Sequence, residues 1–205
     1  MRWKQIGTGV VQATLVKPLG GNRSLIQSSI DAFLEGIVGD SHGGIRRVDA
    51  REDVLRKVVG IPKGTQMANL RQFSAISLEE LAAIGAAMQT PAHIPYGLLS
   101  ENLVIAGIPD FSQIPPGCLL TFKSMVDDIG SSSQRAVLAV WGPNHPCRAP
   151  HEQIVDFFSP IGSRFQPEEP FGKAASGRRG IVGTIYFPGV IEPGDQVTVW
   201  QEGSE

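Results

Sequence analysis

Apolar residues recur at strand spacing along much of this chain. Residues 9–16 and 135–141 are short, nearly continuous apolar runs, and residues 196–200 alternate apolar with polar side chains. Residues 176–187 lead from a basic, glycine-rich stretch into another such run. Patterns of this kind predict strands with at least one buried face. We therefore expect a mainly β domain.

Two segments instead carry apolar residues at helical spacing. Ser77 and Glu80 form a capping box, which predicts a helix over about 77–89. A second, shorter helix is predicted at about 151–158, directly after a proline-rich segment. The helices are therefore few and short.

Turn-forming residues are abundant and partly repeated. The chain has 24 glycines and 15 prolines. A Pro-Gly turn at 114–117 precedes Thr121, and a similar turn at 191–194 precedes Thr198. Two matching turn–strand units favour a closed β structure. We also expect a flexible loop tip at 131–133 and a polar surface excursion at 163–173.

Length and charge limit the number of domains and the kinds of partner that we expect for this chain. A chain of 205 residues suits one domain, here taken as 1–205. The net charge of −2, with no long run of one sign, gives no footprint for nucleic acid or an anionic membrane. The first residues lack an apolar signal-peptide core, and no 18-residue apolar run occurs. We expect a cytoplasmic protein that binds neither nucleic acid nor membrane.

Cys147 lies in the segment with the strongest chemical signal. Residues 142–150 include three prolines, which predict a shaped loop between a strand and a helix. Arg148 follows the thiol and His145 precedes it by two positions, and nearby positive charge favours the reactive thiolate. Cys118 follows a turn and is expected to pack in the sheet. Two cysteines cannot ligate a four-thiolate cluster, so electrons would come from elsewhere.

A second segment, residues 39–47, combines glycines with His42 and a pair of arginines. Backbone amides in such a loop can approach an anion. A solvated surface turn with basic flanks explains the same composition. Both interpretations stay open on this pattern.

Several short motifs follow one another along the chain: Gly39-Asp40 with His42-Gly43-Gly44, Glu101-Asn102-Leu103, Pro146-Cys147, Arg179-Gly180, Pro188-Gly189-Val190 and Pro193-Gly194-Asp195-Gln196-Val197. In this order they resemble the MOSC domain, named after the C-terminal domain of molybdenum cofactor sulfurase. The similarity spans about residues 36–200. The resemblance implies a closed β-barrel with a few short α-helices and a cofactor pocket at the cysteine loop.

The resemblance also implies roles for particular residues. Cys147 would be the catalytic thiol, as a ligand of molybdenum in the molybdenum cofactor (molybdopterin) or as a carrier of sulfur. Ser100 stands where the family has glycine, so the backbone is expected to approach a ligand less closely there. The candidate cofactor-binding residues are His42, Gly43, Gly44, Arg46, Arg47, Glu101, Asn102, Arg148, Arg178 and Arg179.

Three functions follow as hypotheses. The first is a molybdenum enzyme that reduces small N-hydroxylated compounds with electrons from a separate donor protein. The second is a non-enzymatic carrier, in which Cys147 holds a persulfide or the cofactor for a partner protein that donates or accepts it. The third is a simple metal site built from His145, Cys147 and His151, with His42 as fourth ligand. No sequence feature separates enzyme from carrier.

Overall fold

The structure, a computed structural model, describes residues 2–48, 54–125 and 134–203. The loop tip expected at 131–133 lies outside these residues. The strands are β1 (Arg2–Val16), β2 (Leu25–Gln27), β3 (Ile30–Phe33), β4 (Gly36–Ile37), β5 (Arg46–Arg47), β6 (Gln66–Met67), β7 (Phe73–Ser77), β8 (Leu103–Ala106), β9 (Leu119–Lys123), β10 (Val137–Pro143), β11 (Ile181–Phe187), β12 (Gly189–Ile191) and β13 (Gln196–Gly203). The helices are α1 (Leu78–Met88), α2 (Arg148–Phe158) and α3 (Phe171–Ala174), with a π-helical turn at Val54–Val58 and a 3-10 turn at Phe111–Gln113.

Seven strands close into a barrel, so the expected fold class is confirmed. Neighbours follow the order β13, β9, β10, β11, β7, β8 and β1, and β1 pairs again with β13. β7 and β8 run parallel, whereas the other neighbours in the ring are antiparallel. Closure leaves no unpaired edge in this ring. None of the described helices is long and apolar enough to cross a membrane.

The first and last strands are longer than the apolar pattern predicts. β1 starts at Arg2 rather than at residue 9, and β13 ends at Gly203 rather than at residue 200. The added parts pair with each other, with Arg2 opposite Gly203. Side chains at 2–6 are exposed. A strand exposed on both faces has no apolar alternation, and the pattern therefore could not show it.

The repeated Pro-Gly turns produce two neighbouring strands. Gly117 and Gly194 have φ values of 86° and 90°, the left-handed region that a type II turn requires at this position. The strands that follow, β9 and β13, are antiparallel neighbours, and Thr121 lies directly opposite Thr198. The weak internal repeat therefore corresponds to a real pairing inside the barrel.

The buried side chains form two clusters. One fills the barrel and includes Cys118, which is 1% exposed, so the expectation that this thiol packs in the sheet is confirmed. The other lies between the barrel and the helices and includes Phe171. The predicted surface excursion at 163–173 is therefore wrong at its end, because Phe171 is fully buried at the start of α3.

Candidate functional site

The loop that carries Cys147 is shorter than expected. β10 continues to Pro143 and α2 begins at Arg148, so the predicted loop 142–150 is reduced to residues 144–147. Pro143 is tolerated at the end of a strand, and Pro150 is tolerated in the first helical turn, where its missing N–H would have no intrahelical partner. Cys147 is the N-cap residue of α2, with an exposed side chain and no disulfide.

The segment around Gly180 holds this loop in place. The backbone N–H of Asn144 donates to the Gly180 carbonyl at 2.8 Å. Gly180 has a φ of +79°, and a Cβ on it would lie 1.9 Å from the Ala75 carbonyl oxygen. Only glycine fits so close to the neighbouring strand. The backbone N–H of Gly180 in turn donates to Oγ of Ser112 at 2.6 Å.

Ser112 is fixed by a buried carboxylate at the start of α1. Glu80 accepts hydrogen bonds from the backbone N–H of Ser112 at 2.7 Å and from its hydroxyl at 2.9 Å. Burial raises the pKa of Glu80, although the hydrogen bonds from Ser112 and from the Ser77 backbone oppose this shift. The capping box therefore does more than begin a helix: its glutamate anchors the segment that carries Gly180.

Arg179 is the most unusual charged residue of the site. Its side chain is only 5% exposed. Nη2 donates to the Leu99 carbonyl, and the guanidinium carbon lies 6.0 Å from the centroid of the Phe171 ring. Nε and Nη1 are buried and have no hydrogen-bond partner among the described residues. Buried donors are normally paired, so these two groups have donor capacity left for a water molecule or a bound anion.

Three ionisable side chains act electrostatically on Arg179. Burial lowers the pKa of Arg179, negative charge at Glu101 and at Cys147 opposes this shift, and the charge of Arg71 adds to it. Glu101 is fully buried: its Oε1 accepts from the Gly97 N–H at 2.6 Å, and its Oε2 has no partner in the described part of the chain. Burial raises the pKa of Glu101, against the Gly97 hydrogen bond and the Arg179 charge. The loop that carries Cys147 and the segment that carries Arg179 are joined by the hydrogen bond from the Asn144 N–H to the Gly180 carbonyl.

Arg71 belongs to the same site. Its Nη2 donates to Oδ1 of Asn144 at 2.9 Å, and its side chain is exposed. Asn144 is buried. Because Asn144 precedes Cys147 by three positions in the same loop, this bond places a second guanidinium at the thiol-bearing segment.

A separate network joins the glycine-rich loop to the barrel. One Asp40 carboxylate oxygen accepts from the His42 backbone and lies 2.8 Å from its Nδ1, and the other accepts from the Lys17 N–H at 2.7 Å. Asn102 donates to the second oxygen at 2.6 Å and to the Leu15 carbonyl at 3.2 Å. The Asn102 Oδ1 accepts from the Ser74 N–H at 3.0 Å. His42 and Asn102 are thus held together by Asp40.

Comparison with known proteins decides the family. A model of the MOSC domain matches residues 62–198. The chain belongs to the MOSC family. YuaD of Bacillus subtilis (strain 168), whose name refers to metal-sulfur cluster biosynthesis, is 31% identical over 176 residues, which are 83% of this chain and 79% of YuaD.

Solved structures agree with this assignment. The crystal structure of YuaD from Bacillus subtilis is similar with a TM-score of 0.79 and 27% identity, over 98% of this chain and all of YuaD (100%). YiiM from Escherichia coli has a TM-score of 0.52 and 12% identity, over 98% of this chain and 72% of YiiM, and shows the shared fold. The resemblance to the MOSC domain is confirmed.

The structure brings some of the MOSC motif residues together and separates others. Cys147 and Glu101 both act electrostatically on Arg179. His42 and Asn102 belong to the Asp40 network, with Gly43 and Gly44 in the same loop. Arg46 and Arg47 form β5, and Arg47 donates to the Gly64 carbonyl at 2.9 Å. Arg148 is exposed and donates to Glu152 at 2.8 Å, and Arg178 is exposed. The hydrogen bonds described for Arg47 and Arg148 are therefore made to residues other than Cys147.

Ser100 has a φ of +58°. This is the left-handed region, which glycine adopts without strain. The backbone of the turn before Glu101 therefore has a conformation that favours glycine.

The hypothesis of a simple metal site is not supported by a cluster of ligands in the described part of the chain. Within the described ranges, no three histidine, cysteine, aspartate or glutamate side chains are grouped closely enough to hold a metal ion. His145 and Cys147 are both exposed. The described neighbours of the Cys147 loop therefore include Arg71, bonded to Asn144, and no cluster of metal ligands.

Two site residues, Arg71 and Asn144, carry no sequence signal strong enough to single them out. Arg71 precedes β7 and reaches the loop only because β7, β11 and β10 are neighbours in the barrel. Asn144 had one available signal, since it is a polar residue between two prolines of the cysteine loop. The sheet order, rather than a local pattern, brings these residues together.

Proposed function

We propose that this MOSC protein carries sulfur on Cys147 and passes it to a partner that builds a metal-sulfur centre. The observation that supports this function is an exposed thiol on a loop whose Asn144 N–H is bonded to Gly180, the residue that follows the buried Arg179. Exposure lets the thiol meet a donor and an acceptor in turn. Positive charge favours the thiolate, which is the nucleophilic form.

The partners of such a carrier follow from the chemistry. A sulfur donor supplies the outer sulfur of a Cys147 persulfide, and an acceptor protein removes it. The cytoplasm is the compartment that suits this role, because its thiols stay reduced. The name of the relative YuaD, which refers to metal-sulfur cluster biosynthesis, supports a role in assembly.

The test is the mass of the thiol-bearing peptide. After incubation of the purified protein with sodium polysulfide, the peptide that contains Cys147 should gain one sulfur atom and lose it again on reduction. Cys147→Ser should gain none, whereas Cys118→Ser should be loaded like the wild type. Loading of Cys118 alone, or of neither thiol, would contradict the proposal.

Binding of the molybdenum cofactor is a second candidate, favoured by the unpartnered Nε and Nη1 of Arg179. The residues present fit this group, since Cys147 is the soft ligand that molybdenum prefers and Arg179 suits a pterin phosphate. When bound, the cofactor supplies the redox chemistry for reducing small N-hydroxylated compounds, with electrons from a separate protein.

Elemental analysis separates the two candidates. For the cofactor candidate, protein purified from cells supplied with molybdate should contain molybdenum and show the fluorescence of oxidised pterin, and Cys147→Ser should contain no molybdenum. A wild-type protein that lacks both signals but forms the Cys147 persulfide would favour the sulfur carrier.

A further inference from the structure

We propose that Arg71 and Arg179 bind an oxyanion beside Cys147, and that the sulfur donor is a small molecule in which a sulfane sulfur is attached to that oxyanion. Thiosulfate is the simplest member of this class. This inference rests on the sulfur-carrying function proposed above and adds the identity of the donor class.

The unpaired donors of Arg179 are the first observation. A guanidinium that is 5% exposed, with Nε and Nη1 both unbonded within the described residues, needs a negatively charged partner. The charge of the buried Glu101 acts on Arg179, yet Glu101 makes no ion pair with Arg179 in the described structure, and its own Oε2 is also unpaired there. An anion at the thiol would compensate the remaining positive charge.

Arg71 supplies the second guanidinium. The bond from its Nη2 to Asn144 holds it at the loop 144–147. The Asn144 N–H is bonded to Gly180, the residue after Arg179, so the loop and the arginine segment are tied together. One arginine is exposed and the other is buried, and each affects the other electrostatically. The exposed one can meet an incoming anion first.

The geometry suits an anion with several oxygens. Guanidinium groups present their N–H donors in a planar fork that matches pairs of oxygens on sulfonate, phosphate or carboxylate. α2 has 11 residues and begins directly after Cys147, so its free backbone N–H groups and its dipole also favour negative charge there. A donor held by its oxyanion would bring its remaining sulfur to the thiol.

The transfer step balances without another reactant. The Cys147 thiolate attacks the outer sulfur of thiosulfate, and a new S–S bond forms to give the Cys147 persulfide. The bond between the two sulfur atoms of thiosulfate breaks, and its electron pair leaves with sulfite. One thiolate and one thiosulfate dianion give one persulfide anion and one sulfite dianion.

The experiment measures persulfide formation by mass spectrometry and released sulfite together. Wild type should form both in equal amounts with thiosulfate, and sulfate should compete. In Arg71→Gln the rate at low thiosulfate should fall about tenfold or more, since a charge-assisted hydrogen bond is lost. Loading by polysulfide, an anion without oxygen atoms, should fall less in this variant than loading by thiosulfate does. Lys4→Gln, which removes one exposed positive charge from β1, is the matched control and should load like the wild type.

Each possible outcome tests a different part of the proposal. Loading of Cys147 by polysulfide but not by thiosulfate would overturn the donor class and leave the sulfur carrier intact. Equal thiosulfate rates in wild type and Arg71→Gln, or no competition by sulfate, would overturn the oxyanion site. Failure of both donors would overturn the sulfur-carrying function itself. Arg71 is the residue to change because the buried Arg179 contributes to folding, whereas Arg71 is exposed.

Discussion

The hydroxyl of Ser112 accepts a hydrogen bond from the backbone N–H of Gly180 at 2.6 Å and donates one to Glu80 at 2.9 Å. The segment that carries Arg179 and Gly180 is thereby linked to the first turn of α1. Ser112 is buried, so water cannot replace either bond. The position of Arg179 therefore depends on a serine that is 67 positions earlier in the chain.

Ser112→Ala should destabilise the protein by about 1–3 kcal/mol, because the Gly180 N–H and the Glu80 carboxylate each lose a buried partner. Urea unfolding followed by circular dichroism measures this difference. Ser163→Ala, at an exposed serine, is the control and should change the free energy of unfolding by less than about 0.5 kcal/mol. Equal effects of the two substitutions would show that the Ser112 bonds contribute nothing.

Ser100→Gly should stabilise the protein by up to about 1 kcal/mol. Ser100 has a φ of +58°, where a Cβ costs roughly 1–2 kcal/mol and glycine costs only its extra chain entropy. Ser100→Ala keeps the Cβ and should give no gain in thermal unfolding. If glycine and alanine have the same effect, the backbone at this turn is not strained.

Local patterns predicted the parts of the fold that local interactions determine. The capping box at Ser77 predicted α1 to within a residue at each end, because the cap is a bond between Ser77 Oγ and the Glu80 N–H at 3.1 Å. The outer ends of β1 and β13 were missed, since most of their side chains are exposed. The alternation of apolar and polar residues cannot indicate a strand whose side chains are exposed on both faces.

The residues of the candidate site also divide into those that a local sequence pattern could indicate and those that it could not. Cys147 could be selected from its proline-rich surroundings, and the MOSC motifs added Arg179 and Glu101. Arg71 could not be selected, because its bond to Asn144 spans 73 positions and exists only through the order of strands in the barrel. A contact of this kind is determined by tertiary structure, and no short stretch of sequence contains both partners.

The stabilising effect of Asp40 should disappear in acid. Burial alone would raise the pKa of Asp40, but the hydrogen bonds from His42 and Lys17 outweigh it, and the pKa is lowered. A carboxyl whose folded pKa lies below its unfolded value near about 3.9 stabilises the fold above that value and loses this effect as pH falls through the folded pKa. Asp40→Asn should cost about 1–3 kcal/mol near neutral pH.

The measurement is the difference in free energy of unfolding between wild type and Asp40→Asn as a function of pH. Urea unfolding of wild type and Asp40→Asn should give a constant difference above about pH 5, and this difference should shrink below about pH 4. Subtracting the two proteins removes the contributions of other carboxyl groups, including Glu80 and Glu101, whose pKa values are raised by burial. A difference that persists unchanged in acid would mean that the charge of Asp40 is not what holds the network.

Cys147 should react with an alkylating reagent in the native protein while Cys118 does not. Cys147 is exposed, whereas Cys118 is 1% exposed within the barrel and burial raises its pKa. A reagent reaches Cys118 only when the barrel opens, and an opening cost of roughly 3 kcal/mol or more slows labelling by at least about a hundredfold. Peptide mapping after short exposure to iodoacetamide gives both rates, and the same mapping in concentrated urea, where the two thiols should react alike, is the control. Equal native rates would place both thiols at the surface, and Cys147 would then lose its distinction as the one accessible thiol beside Arg179.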